Sequence, residues 1–193
     1  MKLISPKYIV TVNPRRDILH NHSILIDENY IKKIELTEVL KAEAQNEICD
    51  FIDVPNLILI PGFVQTHIHL CQTMFRGLAD DLELLDWLQY KIFPFEAAHS
   101  KDSMRASVQL GLAELIRGGT TTILDMGSIN HSELVFEELQ KFGMRAFHGK
   151  AMMDINEIFP KLKESTKQSL KSSEELARRF HNSAGGRIKY AFA

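Results

Sequence analysis

The stretch Leu57-Ile58-Leu59-Ile60-Pro61-Gly62-Phe63-Val64-Gln65-Thr66-His67-Ile68-His69 decides how the rest of the chain is read. An apolar run is broken by Pro-Gly and resumes as a β-prone segment that ends on two histidines. Side chains alternate faces along a strand, so His67 and His69 point one way and Ile68 the other. Their Cα atoms are then about 6.6 Å apart, and both imidazoles can reach one cation at roughly 2.0–2.1 Å. A bare His-x-His is equally what an ordinary partly buried pair would give, so its meaning rests on the neighbouring sequence.

Outward from this stretch, the chain before it is short and β-rich. Residues 3–12 and 23–35 read as strands, with Asp27-Glu28-Asn29 as a hairpin turn between Ile24-Leu25-Ile26 and Tyr30–Ile34. Residues 37–48 read as a connector or short helix. This module is too thin to bury a core alone.

After the histidines comes a connection of nearly thirty residues. Within it Leu82, Leu84, Leu85, Leu88 and Ile92 suggest a short helix that ends before Phe93-Pro94. Connections of that length at strand ends usually carry function. A long helix is predicted at about 101–117, capped by Ser100 or Asp102 and stopped by Gly118-Gly119. The remaining predictions are a strand at 120–126, a helix at His131–Phe142, a strand at Arg145–Asp154, a helix at Ser165–His181 and a strand from Ile188. Alternating strands and helices imply a parallel α/β sheet. No Gly-x-Gly-x-x-Gly or Walker-type loop follows a strand, which disfavours a nucleotide-cofactor fold. A (β/α)8 barrel remains, yet only four of its strands are visible, and the chain stops within the apolar Tyr190–Ala193. The expectation is the N-terminal part of a longer polypeptide.

The totals bound the function. The chain has 193 residues, 45% hydrophobic and 25% charged, with a formal net charge of −2. That composition is globular, and the charge argues against nucleic acid or an anionic membrane as the main partner. The two cysteines, Cys49 and Cys71, are too few for a disulfide framework and fit a reducing cytoplasm. Cys71 is read as a small buried hydrophobe. No signal peptide is visible, and the longest apolar stretch is far short of the ~20 residues a membrane span needs.

The histidine strand and its surroundings resemble the amidohydrolase superfamily, in its adenosine-type (methylthioadenosine/S-adenosylhomocysteine) deaminase, guanine deaminase and chlorohydrolase branch. The resemblance is carried by Pro61–His69, Phe75-Arg76-Gly77-Leu78-Ala79-Asp80-Asp81, Leu85-Asp86-Trp87-Leu88, Phe93-Pro94-Phe95-Glu96, Gly118-Gly119-Thr120-Thr121-Thr122 and Gly143-Met144-Arg145-Ala146-Phe147. It implies the N-terminal half of a metal-dependent, TIM-like (β/α)8 barrel at 57–193, preceded by part of a small β-sandwich at 1–56. It also implies that His67 and His69 bind one divalent metal ion, zinc or alternatively iron. The catalytic residues and the remaining ligands are expected beyond residue 193. A cation held by neutral imidazoles lowers the pKa of bound water from about 15.7 towards ~7, which supplies hydroxide at neutral pH.

The resemblance assigns substrate contacts as well. Glu96 would bind ribose hydroxyls, Trp87 would wall the substrate, and Gln72 would contact a purine. Each has a plain structural reading: a solvated loop carboxylate, a buried aromatic and a polar turn residue. Lys150 stands where the methylthioadenosine/S-adenosylhomocysteine deaminases usually carry Arg, whereas guanine deaminases have Gly-Lys, as in Gly149-Lys150. Arg and Lys are not equivalent for gripping a carboxylate. Arg76, Asp80 and Asp81 are read as a loop network, Asp125 as a polar strand end, and His131, His148 and His181 as ordinary histidines. The reading is a deaminase of adenosine-type purine nucleosides. Guanine deaminase, an s-triazine-type chlorohydrolase, and an inert fragment or scaffold are the alternatives. A small N-heterocycle is the expected partner, and a homo-oligomer is compatible with this.

Overall fold

A computed structural model describes residues 1–44 and 49–193 of the chain. They divide into two units, Met1–Pro61 and Gly62–Ala193. The division follows Pro61 rather than Asn56, because Leu57–Leu59 stay in a strand of the first unit, with Ile58 and Leu59 paired to Tyr8 and Ile9.

The first unit is one mixed sheet built on β1 (Lys2–Val10). Antiparallel to β1 run the short β2 (Ile18–His20) and β3 (His22–Asp27), and β3 pairs in turn with β4 (Tyr30–Leu36). The expected hairpin closes with Asp27 opposite Tyr30, and Glu28 takes a left-handed φ of 50° in the turn. Helix α1 (Thr37–Ala44) follows and buries Leu40 with Leu3 and Leu25. The rest of the predicted 37–48 connector, 45–48, lies outside the described residues. Strand β5 (Asp50–Leu59) runs parallel to β1.

The second unit is a four-stranded parallel sheet in the order β6 (Phe63–Ile68), β7 (Thr120–Met126), β8 (Arg145–Gly149), β9 (Ile188–Tyr190). Sequential parallel strands need crossovers, and helices supply them. Between β6 and β7 lie a 3-10 segment Leu70–Phe75, α2 (Leu84–Trp87), α3 (Phe93–Ala98) and α4 (Lys101–Arg117). The helix predicted to stop before Phe93-Pro94 instead runs on. A wider π turn at Leu88–Ile92 lets the Phe93 N–H reach the Leu88 carbonyl, and Pro94 follows in the first turn of α3.

Ser100 caps α4 in a reciprocal capping box with Ser103, and Gly118 ends it. Helix α5 (Ser132–Phe142) ends at Gly143, whose φ of 76° suits glycine. Helix α6 (Thr166–Phe180) is capped by Ser165. Strand β8 is shorter than the predicted Arg145–Asp154, because its ladder with β9 ends at His148–Tyr190.

The core lies between the sheet and these helices, around Val108, Leu112, Ile123, Phe136, Leu139 and Ile188. Phe136 stacks on Phe180 with ring centroids 4.6 Å apart. The strands alternate accordingly: Ile123 and Asp125 are buried, while Leu124 and Met126 are exposed at 42% and 45%.

Candidate active site

His67 and His69 stand at the C-terminal end of β6, the end where parallel α/β sheets gather ligand-binding groups. Their Nε2 atoms lie 3.2 Å apart, with the rings edge to face. The Nδ1–H of His69 donates to the Met126 carbonyl at 2.9 Å. That bond places the proton on Nδ1 and leaves Nε2 with its lone pair, the form in which imidazole binds a metal. Two nitrogens on one tetrahedral cation would be about 3.3 Å apart, so this pair fits a shared ion. Among the described residues no group of three or more His, Cys, Asp and Glu side chains gathers around a common point. Within that set the pair offers two nitrogen donors. A recess of about 240 Å³ beside it is lined by His67, His69, Leu124, Met126 and Phe192.

The residue after His69 begins the 3-10 turn that sets the substrate candidates. Gln72 joins both histidines in lining a second groove, together with Thr73, Arg76 and Glu114. Its amide nitrogen donates to Glu96 Oε1 at 2.9 Å. Two of the sequence-derived candidates therefore meet each other, beside the histidines. Arg76, read as part of a loop network, makes a two-pronged ion pair with Glu114 on α4, at 2.9 and 3.1 Å. Cys71 is buried in the core, as the sequence suggested, with its thiol 3.7 Å from Glu96 Oε1.

Trp87 and Lys150 do not join this group. Trp87 is half-buried on α2 and lines neither hollow. The Lys150 ammonium is buried, ion-paired with Glu164, and bonded to the Ala151 carbonyl at 3.1 Å. It borders a cleft between α4, α5 and α6 whose lining includes neither histidine. A buried ammonium needs such partners, and this geometry ties Lys150 to the segment after β8.

The sequence reading missed a fully buried pair: His148 Nδ1–H donates to Asp125 Oδ2 at 2.6 Å. The other carboxylate oxygen, Oδ1, accepts the Leu70 backbone N–H at 2.8 Å. The available signal was positional. Asp125 falls near the end of one predicted strand, and His148 lies within the next.

Residues 58–193 match the Amidohydrolase family, and the chain belongs to that family. Its relatives include a 5-methylthioadenosine/S-adenosylhomocysteine deaminase of Lawsonia intracellularis, 35% identical over 182 residues that cover 91% of this chain and 38% of the relative. Among solved structures, E. coli guanine deaminase superposes with a TM-score of 0.87 at 28% identity, over 98% of this chain and 46% of that one. An adenosine deaminase from Xanthomonas campestris with bound zinc gives 0.84 at 27% identity, over 99% and 42%. The chain spans about two-fifths of the length of the curated relatives it matches. No helix among the described residues is long and apolar enough to cross a membrane.

Proposed function

We propose that His67 and His69 supply two imidazole ligands to a divalent-metal centre, zinc or iron, in an aminohydrolase acting on adenosine-type purine nucleosides. The observation that carries the metal reading is the 3.2 Å approach of the two Nε2 atoms, with the His69 proton committed to Met126. The bound ion would supply activated water at neutral pH. The chain's own residues do the orienting. His69 is held by a backbone carbonyl, and the Gln72 amide, steadied by Glu96, offers a donor and an acceptor to the edge of a purine. The Glu96 carboxylate suits ribose hydroxyls as an acceptor. The relative named for methylthioadenosine and S-adenosylhomocysteine supports the nucleoside class. The free thiols Cys49 and Cys71 suit a reducing, cytoplasmic setting.

Guanine is the second reading. It is favoured by Gln72 standing in one groove with both histidines and by the likeness to guanine deaminase.

The test is a binding panel on the isotope-labelled chain in the presence of zinc. Methylthioadenosine or 5′-deoxyadenosine is expected to shift the signals of His67, His69 and Gln72. Shifts with guanine, and none with any adenosine analogue, would transfer the assignment to guanine. His67→Ala is expected to weaken zinc binding about tenfold or more. Two imidazoles alone make a weak centre, so the purified 193 residues are expected to release no ammonia. Turnover by that chain would show that the two imidazoles suffice without further ligands.

A further inference from the structure

We propose that the buried Asp125–His148 couple is the positioning device for the histidine pair: it fixes the end of β6 so that His67 and His69 converge. The inference rests on the metal reading for its purpose, though its geometry stands independently.

The ladder between β6 and β7 is irregular where the histidines lie. From Gln65 to Ile68 the first strand uses three residues, while β7 uses two from Ile123 to Asp125. Backbone pairing alone therefore does not hold the segment that carries His67. Side chains from β7 and β8 take over. Asp125 receives the Leu70 N–H on one oxygen and the His148 Nδ1–H on the other. The Leu70 carbonyl is held from the helix side by the Ser107 hydroxyl at 2.9 Å. Leu70 thus follows His69 with both of its backbone polar groups fixed, and the His69 ring is tied to Met126, the neighbour of Asp125.

His148 is itself confined. Its ring meets Phe136 edge to face at 4.5 Å, and a Cβ at Gly127 would come within 2.5 Å of it. Its Nε2 is buried without a hydrogen-bond partner, so the ring's polar contact in this structure is the one to Asp125. A buried carboxylate without donors would be costly, and here both donors serve one task.

The experiment follows the His69 ring tautomer by long-range proton–nitrogen correlation, and the Leu70 amide by hydrogen exchange, in the 193-residue chain without metal. His148→Leu is expected to speed Leu70 exchange at least tenfold and to mix the His69 tautomers, while the amides of Leu112 and Leu139 keep their protection. His148→Asn returns a donor near the Nδ1 position and is expected to restore both signals. Unchanged Leu70 and His69 signals in His148→Leu, or no rescue by His148→Asn, would overturn the inference. Should His148→Leu fail to fold, Asp125→Asn decides. Its amide can still accept from Leu70 but turns a donor toward His148, which is expected to move the His148 proton to Nε2. Retention of Nδ1–H there, with Leu70 unaltered, rejects the couple. Zinc titration is run in parallel, and His148→Leu is expected to weaken binding at least tenfold. The zinc titration bears on the metal reading alone, and the tautomer and exchange data decide the positioning.

Discussion

At Cys71, two residues past His69, burial with the carboxylates of Glu96 and Asp125 nearby pushes the thiol well above its ordinary range. The folded chain therefore holds that proton more tightly than the unfolded chain. The resulting stabilisation is complete below the unfolded thiol pKa of about 8.5 and is lost as pH rises above it. Denaturant midpoints are expected to fall between pH 8 and pH 10, and Cys71→Ala should flatten that slope. Alkylation at pH 8 should mark Cys49 first and reach Cys71 only on unfolding; equal labelling rates would contradict the buried thiol. The same residue scale shows what a sequence can yield. His67 and His69 are legible because strand periodicity is local, and Cys71 because apolar context predicts burial. The bond between Asp125 and His148 depends on the pairing of β7 with β8, in which Asp125 falls opposite His148. No local pattern encodes that register.

The elements of the second unit are bounded mainly by residues that satisfy or refuse backbone hydrogen bonds. Ser100 is the clearest case, since its hydroxyl accepts the Ser103 N–H and the Ser103 hydroxyl answers the Ser100 N–H. Ser100→Ala is expected to cost about 1 kcal/mol, read as a lower thermal midpoint, and Ser100→Asp to restore most of it. An unchanged midpoint for the alanine variant would mean that α4 is held by packing alone. Helices α4, α5 and α6 were legible because apolar spacing agrees with a serine cap on α4 and α6 and a glycine stop on α4 and α5. The region around Pro94 was not. Proline usually ends a helix, and a π turn that carries the chain across it leaves no composition signature. Strand β8 was overextended for a related reason, since Lys150–Asp154 look β-compatible but have no neighbour to pair with in the sheet.

For the whole molecule, alternation of strands and helices was enough to predict a parallel sheet in sequential order. Half a barrel also implied open edges and an exposed inner face. Helices cover one face of β6–β9, while on the other Leu124 and Phe147, direct partners across β7 and β8, are 42% and 45% exposed. Parallel sheets are ordinarily covered on both faces. The purified chain is therefore expected to bind an apolar dye strongly and to sediment heavier as its concentration rises, and Phe147→Lys should reduce both effects. A monomer that ignores the dye would show that this face is shielded in solution. The sheet also has a weakly defended side. In this sheet β6 pairs only with β7, so its other edge is unpaired among the described residues, and Phe63-Val64-Gln65-Thr66-His67-Ile68 is six residues without charge, proline or glycine. The opposite edge, Ile188-Lys189-Tyr190, has Lys189 as a gatekeeper against strand addition. Fibril nucleation on heating would begin at the histidine strand, where a cation clamped between the two imidazoles would slow the recruitment of further chains.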